Sequence, residues 1–210
     1  MQLSLFDIKT ANDEIVNDEE TIKKISGLKY IPDFISQTEH KVLWNSINSE
    51  PWLNDLRRRV QHYGWKYDYK SRTIDYSMYL GELPEWVQPI SERLYKKGYL
   101  PSKPDQLIIN EYKPGQGIAN HVDCEPCFGS TIVTISLGSR CIMDFKNLRT
   151  KEKIEVLLEP RSLAVLADEA RYNWMHGIAS RKTDKFKNNK IQRQLRISLT
   201  FRNVILNSNK

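Results

Sequence analysis

From Gln106 onward the sequence breaks into short β-type runs, and this half of the chain restricts the possible folds most. The runs are QLIINEY, STIVTISL, CIMDF, IEVLLE, SLAVLAD and QLRISLTFRNV, parted by turn signals such as Pro114-Gly115. Several short strands at this spacing point to a sandwich or barrel rather than to alternating βαβ units. The last run says the most. In QLRISLTFR, Leu195, Ile197, Leu199 and Phe201 fall on one face, and Arg196, Ser198, Thr200 and Arg202 fall on the other, because strand side chains alternate. If the polar face lines a barrel interior, two arginines enter a confined site and require an anion there. A planar guanidinium grips a carboxylate through two parallel hydrogen bonds. The alternation alone also permits an edge strand whose arginines face solvent.

The preceding half reads differently. Residues 1–26 are polar and acidic and are expected to form a loosely attached arm. GLKYIPDFIS reads as a strand entering a turn at Pro32-Asp33. Ser36 to Glu50 has helical spacing, with Val42, Leu43 and Ile47 on one face and Ser36 and Thr38 as cap candidates. A second helix is expected from about Glu85, with Val87, Ile90, Leu94 and Tyr95 inward and Gly98 stopping it. Residues 57–80 interleave basic and aromatic residues and read as irregular strands or a surface lid. The expected organisation is therefore an arm over 1–26, helices and a lid over 27–105, and a jelly-roll core over 106–205. The fold class is α+β but mostly β. RKTDKFKNNK, residues 181–190, reads as a basic, mobile loop between late strands.

The chain has 210 residues, enough for one domain with a sizeable core. It carries 32 Lys and Arg against 26 Asp and Glu, a net +6 that gives an anionic partner slight support. Cys124, Cys127 and Cys141 cannot form a full disulfide framework, which fits a reducing compartment. The first twenty residues lack a basic n-region and a cleavable apolar core, and no apolar run approaches the roughly 20 residues of a membrane span. The expectation is a cytoplasmic protein, or a nuclear one in a eukaryote, without membrane association and monomeric.

Histidines are scarce: His40, His62, His121 and His176. His121-Val122-Asp123 places an imidazole and a carboxylate on one face of a strand. His176, downstream of SLAVLAD, can add a second imidazole. Two neutral imidazoles and a carboxylate on one side of a metal form the facial triad of non-haem iron oxygenases, with the other positions left open. An isolated H-x-D also arises by chance on surfaces.

Several ordered motifs together resemble the AlkB family of Fe(II)- and 2-oxoglutarate-dependent dioxygenases. Asn110-Glu-Tyr112-Lys-Pro114-Gly115, followed by His121-Val-Asp123, looks like the family's N-x-Y-x-P-G and H-x-D. STIVTISLG resembles its next core strand, His176-Gly177-Ile178 its distal histidine, and Arg196 to Arg202 its closing R-x-x-x-x-x-R. The likeness covers residues 106–203 well and the N-terminal half loosely. It implies a double-stranded β-helix with a nucleotide-recognition lid, with Fe(II), 2-oxoglutarate and O₂ as reactants. His121, Asp123 and His176 would bind iron. Arg196 would pair with the distal carboxylate of 2-oxoglutarate, Asn110, Tyr112 and Thr200 would hydrogen-bond it, and Arg202 would support the end near the metal. The expected activity is hydroxylation or oxidative demethylation of a base in nucleic acid, coupled to decarboxylation of 2-oxoglutarate to succinate. The same core could alternatively serve a protein side-chain hydroxylase or demethylase.

Where the repair enzymes of the family carry Asn, this chain has Ser198. With DQLIIN, PGQGI, SLGS, MDFK and RRRVQHYGW, that serine resembles more closely the branch that hydroxylates a modified wobble uridine in tRNA. That branch has appended RNA-recognition and methyltransferase modules, for which this chain is too short. DNA and RNA, tRNA included, both stay open as partners. The lid supplies Arg59, His62, Tyr63 and Trp65 as candidate substrate residues among neighbours that include Arg58, Tyr67 and Arg72. Aromatics can stack on bases and cations can pair with phosphates, although the same aromatics could be core. Glu125, two residues past Asp123, is a further candidate, with a solvated loop carboxylate as the plain alternative. Cys124-x-x-Cys127 could suggest zinc, but only one other cysteine exists and no fourth ligand is apparent.

Overall fold

The computed structural model describes residues 17–54 and 56–206. Two antiparallel sheets carry the architecture. The strands are β1 (Leu28–Ile31), β2 (Val60–Tyr63), β3 (Gln106–Tyr112), β4 (Ile118–His121), β5 (Ile132–Gly138), β6 (Cys141–Asn147), β7 (Lys153–Leu158), β8 (Leu163–Leu166), β9 (Trp174–Ile178), β10 (Thr183–Phe186), β11 (Asn189–Gln192) and β12 (Arg196–Arg202). The major sheet runs β1-β8-β5-β12-β3-β2, the minor sheet β4-β9-β6-β7, and β10-β11 form a separate hairpin. This is the expected mostly-β jelly roll.

Period-two patterning explains the layers. Ile197, Leu199 and Phe201 of β12, Leu107 and Ile109 of β3, and Val133, Ile135 and Leu137 of β5 make the outer face of the major sheet, all at 0% exposure. Helices α2 (Gln37–Ser49) and α3 (Gln88–Lys96) cover that face with Leu43, Ile47, Ile90 and Leu94. Each such aliphatic or aromatic side chain contributes about 1.5–3 kcal/mol when fully buried. The inner face looks across to the minor sheet, and Ile108, Ile132, Met143, Phe145 and Trp174 pack between them.

Local chemistry sets the helix ends. The Ser36 hydroxyl accepts from the Glu39 N–H, and the Glu39 carboxylate accepts from the Ser36 N–H, a reciprocal capping box. Gly98 ends the second helical segment in the left-handed region at φ +68°, its N–H donating to the Tyr95 carbonyl. Two expected core positions are exposed instead: Val42 at 51% and Tyr95 at 43%. Each lies one residue beside a position that points inward, Leu43 and Leu94, so the helix turns it toward water.

Other expectations need correction. Residues 17–26 do not form a loose arm. Asn17 donates to the Leu157 carbonyl and accepts from the Leu157 N–H, α1 (Glu19–Lys23) follows, and Ile25 is fully buried. Residues 1–16 lie outside the described residues. The stretch read as a mobile loop is the β10-β11 hairpin, whose Phe186 and Ile191 pack on Ile142 and Leu157 of the minor sheet. The strand expected to carry both His121 and Asp123 is β4, which ends at His121 and leaves Asp123 to the following loop, and β9 lies outside the expected runs. No described helix is long and apolar enough to cross a membrane.

Candidate active site

β12 lies between β3 and β5, so its polar face is walled on both sides. Arg196 pairs with Tyr112 and Gly138, Ser198 with Asn110 and Ser136, and Thr200 with Ile108 and Thr134. Arg196, Ser198, Thr200, Tyr112, Asn110, Ile108 and Thr134 line a cavity of about 340 Å³ between the two sheets. Arg196 is 2% exposed. One of its terminal nitrogens donates to Ser136 Oγ at 2.9 Å, and its guanidinium lies 5.5 Å from the centre of the Tyr112 ring. Its Nε and Nη1 have no partner among the described residues. Both flank Nη2, so either of them with the second hydrogen of Nη2 makes the fork a carboxylate fills, and buried donors without an acceptor call for such an anion.

Beside this end, Ser198 Oγ and Thr134 Oγ1 are 2.9 Å apart, and the Asn110 side-chain oxygen accepts from Arg58 Nε at 2.7 Å. Burial raises the Tyr112 pKa against the pull of Arg58 and Arg196, so the phenol stays neutral.

The minor sheet supplies the facing wall. β4 and β9 pair so that His121 is opposite His176, their ring centres 4.5 Å apart. Gly177 permits this approach, since a Cβ there would come within 2.3 Å of Asn120 Oδ1. His121 Nδ1 is 2.8 Å from the Ala119 carbonyl oxygen. A carbonyl only accepts, so Nδ1 carries the proton and Nε2 keeps its lone pair for a metal. Asp123 follows directly in the next loop, with Oδ2 3.6 Å from His176 Nε2. One donor atom from each of His121, Asp123 and His176 lies within 4.8 Å of the others. These three could hold a metal on one face, a donor set suited to Fe(II).

Charge prepares the triad for that role. Burial alone would raise the Asp123 pKa, but Arg202, the two histidines and Arg171 outweigh it and hold the carboxyl well below the usual carboxylate range. Arg202 Nη2 donates to Asp123 Oδ1 at 2.8 Å, while Oδ2 has no partner among the described residues. His176 is pushed down to about 3, first by burial and then by His121, Arg202 and Arg171 against the pull of Asp123. It therefore stands neutral, the form in which imidazole ligates a metal. Across the whole lining, Arg58, Arg72, Arg196 and Arg202 face one carboxylate, Asp123. Such a cavity favours a dianion.

Arg171, from the short helix α4 (Asp168–Tyr172), was missed by sequence reasoning. It is 2% exposed and donates to the carbonyls of Asp123, Cys124, Phe128 and Gly129, holding the loop that presents Asp123. The apolar neighbour Ala170 gives the only sequence hint that this arginine turns inward. In the same loop Cys124 and Cys127 are joined by a disulfide. Among the described residues they belong to no cluster of metal-ligating side chains, so the structure offers nothing for a zinc reading.

The lid candidates divide by strand parity. Glu111 pairs with Arg59, so the side chains of Arg59 and Tyr63 lie on the outer face of the sheet. Arg59 forms an ion pair with Glu111 and stacks over Trp52, and Tyr63 packs edge-on against Trp86. Trp65 packs at a tilt against Tyr79, with ring centres 4.7 Å apart. His62 packs edge-on against Tyr69. Glu125 is exposed. None of these five lines the cavity. From the same stretch it is Arg58, Tyr67, Tyr69 and Arg72 that do.

Residues 27–202 match the model of the 2OG-Fe(II) oxygenase superfamily. The chain belongs to that superfamily. It is therefore an Fe(II)- and 2-oxoglutarate-dependent dioxygenase, with O₂ as co-reactant. Among its relatives, the uncharacterized protein L905 of Acanthamoeba polyphaga mimivirus is 38% identical, each chain covered to 87%. The tRNA (carboxymethyluridine(34)-5-O)-methyltransferase ALKBH8 of Mus musculus is 40% identical over 85% of this chain, but the match spans only 30% of that protein. OsALKBH1 superposes with a TM-score of 0.57 at 18% identity, covering 84% of this chain and 96% of its own, and supports the AlkB-type fold.

Proposed function

We propose that this oxygenase acts on a base in nucleic acid, with tRNA the foremost class. The observation that carries the reading is the cavity lining, where Arg58 and Arg72 flank Tyr67 and Tyr69 along the chain and all four share one cavity with the histidine–carboxylate cluster. Cations there can meet phosphates while the aromatics offer planar faces to a base. The likeness to the mouse tRNA enzyme supports the same choice over the relevant portion of that protein.

In this reading His121, Asp123 and His176 would hold iron, and Arg196 would receive the distal carboxylate of 2-oxoglutarate on one of its unpartnered donors and the second hydrogen of Nη2. Asn110, Tyr112 and Thr200 orient the cosubstrate. Ser198 shapes its bed through Thr134. Arg202 holds one oxygen of Asp123 and thereby aims the other at the metal. Iron with 2-oxoglutarate and O₂ supplies the oxidising equivalents, and the cosubstrate leaves as succinate and CO₂. The chain's own contribution is to orient the reactants and exclude water.

The test is anaerobic loading with Fe(II) and 2-oxoglutarate, then addition of O₂ and detection of succinate. Methylated single-stranded DNA, methylated RNA and unfractionated tRNA are assayed in parallel, at rising salt. Succinate formation stimulated by a nucleic acid and suppressed by salt is expected. Turnover indifferent to every nucleic acid would overturn the base assignment and favour a protein side chain.

A further inference from the structure

The β10-β11 hairpin takes no part in the cavity, yet its charge calls for a partner. Residues 181–193 hold six cationic side chains and one acid, a net +5 (6 − 1) in a chain whose total is +6. The acid is buried. Asp184 accepts from Arg181 and Arg193 and from the Ile142 N–H, so that trio is internally neutralised in large part. Lys182, Lys185, Lys187 and Lys190 remain, all exposed and none in an ion pair among the described residues.

Their placement runs against the hairpin's own stability. Lys185 and Lys190 are direct cross-strand partners on the solvent face, an arrangement that is destabilising for like charges. Lys187 and Asn188 form the two-residue loop with φ of +45° and +66°, a conformation usually given to Asn-Gly. Lysine blunts exposed strand edges, but a pair of opposite sign would do so without the repulsion.

The hairpin is also joined to the cavity mouth. It springs from β9, the strand of His176. The Gly115 N–H donates to the Arg181 carbonyl, and the Lys182 side chain lies over Gly115. Next along that turn, the Gln116 side chain donates to the carbonyl of Arg57, the neighbour of the cavity residue Arg58. Exposed Arg57, Lys113 and Lys182 thus connect the mouth to the lysine face.

We propose that the solvent face of the β10-β11 hairpin is a second binding site, for the sugar–phosphate backbone of the nucleic acid whose base enters the cavity. This rests on the base-directed reading above. The hairpin holds a strand away from the reacting base, adding affinity without touching the chemistry.

The test compares the wild-type chain with K182Q/K185Q/K187Q/K190Q and with the single variant K190E. Binding of fluorescently labelled unfractionated tRNA is measured across salt concentrations, alongside succinate release without nucleic acid. The quadruple variant should bind tRNA at least about tenfold more weakly at low salt, with the slope of log affinity against log salt reduced by about 3. Substrate-free succinate release should not change. K190E should weaken tRNA binding while leaving the melting temperature equal or higher, because it replaces a like-charge pair with an opposite one, and this excludes misfolding as the cause. Wild-type affinity and slope in the quadruple variant would overturn the hairpin site and leave the base-directed reading standing. If the wild-type chain neither binds nor turns over any nucleic acid, both fall together.

Discussion

Replacing Arg196 by lysine isolates what the fork of the guanidinium does. In the wild-type chain one terminal nitrogen is committed to Ser136, and Nε and Nη1 are buried without acceptors. A carboxylate of 2-oxoglutarate can take one of them together with the second hydrogen of Nη2. Lysine keeps the positive charge but offers a single point donor, so at least one charge-assisted hydrogen bond is lost and the planar alignment disappears. One such bond is worth about 1.5–3 kcal/mol, which corresponds to about 10- to 150-fold in affinity. The assay is an anaerobic titration of the Fe(II)-loaded protein with 2-oxoglutarate, followed by its absorbance change. Circular dichroism checks that the fold is kept. The dissociation constant should rise by that factor while iron content stays the same. A constant within about threefold of wild type would refute the reasoning and place the cosubstrate elsewhere.

Three further outcomes are expected. His121→Ala and Asp123→Ala should each abolish iron retention and succinate formation while the circular dichroism spectrum stays close to wild type; retained turnover would remove them from the metal site. Arg171→Met should leave buried carbonyls at Asp123, Phe128 and Gly129 without donors, costing at least about 3 kcal/mol and lowering the melting temperature by about 6–12 °C; an unchanged melting curve would contradict the bracing role. For Asp184, burial raises the pKa, but Arg193, Arg181 and the Ile142 N–H more than offset it and hold the carboxyl below its usual value. A depressed carboxylate contributes stability that is complete above its unfolded pKa and is lost as pH falls through the folded one. Asp184→Asn should therefore cost about 3–5 kcal/mol near neutral pH, and its gap to wild type should close below about pH 4; a gap independent of pH would remove the charge from the explanation.

What could be read from residues alone depended on how local the signal was. β12 was legible because seven residues alternate without interruption, and its polar face did line a cavity. In the minor sheet, β4 and β9 are four and five residues long and spend positions on His121 and His176, so their alternation never accumulates. The β10-β11 hairpin looked unstructured because its apolar content is two side chains and its turn lacks a glycine. The lid residues failed on register. Arg58 and Arg59 are chemically alike, and only pairing with β3 decides which enters the cavity and which binds Glu111. Arg171 was invisible because its partners are backbone carbonyls, which no residue pattern announces.

The two faces of β12 also separate two kinds of inheritance. Ile197, Leu199 and Phe201 answer to the helix layer, while the residues between them answer to whatever occupies the cavity. A lineage of such chains can therefore trade one target for another by editing the cavity-lining Arg58 and Arg72, which belong to no hydrophobic cluster, without disturbing the packing that lets the chain fold. Persistence is written on one face of β12, and novelty in a segment far from it along the chain.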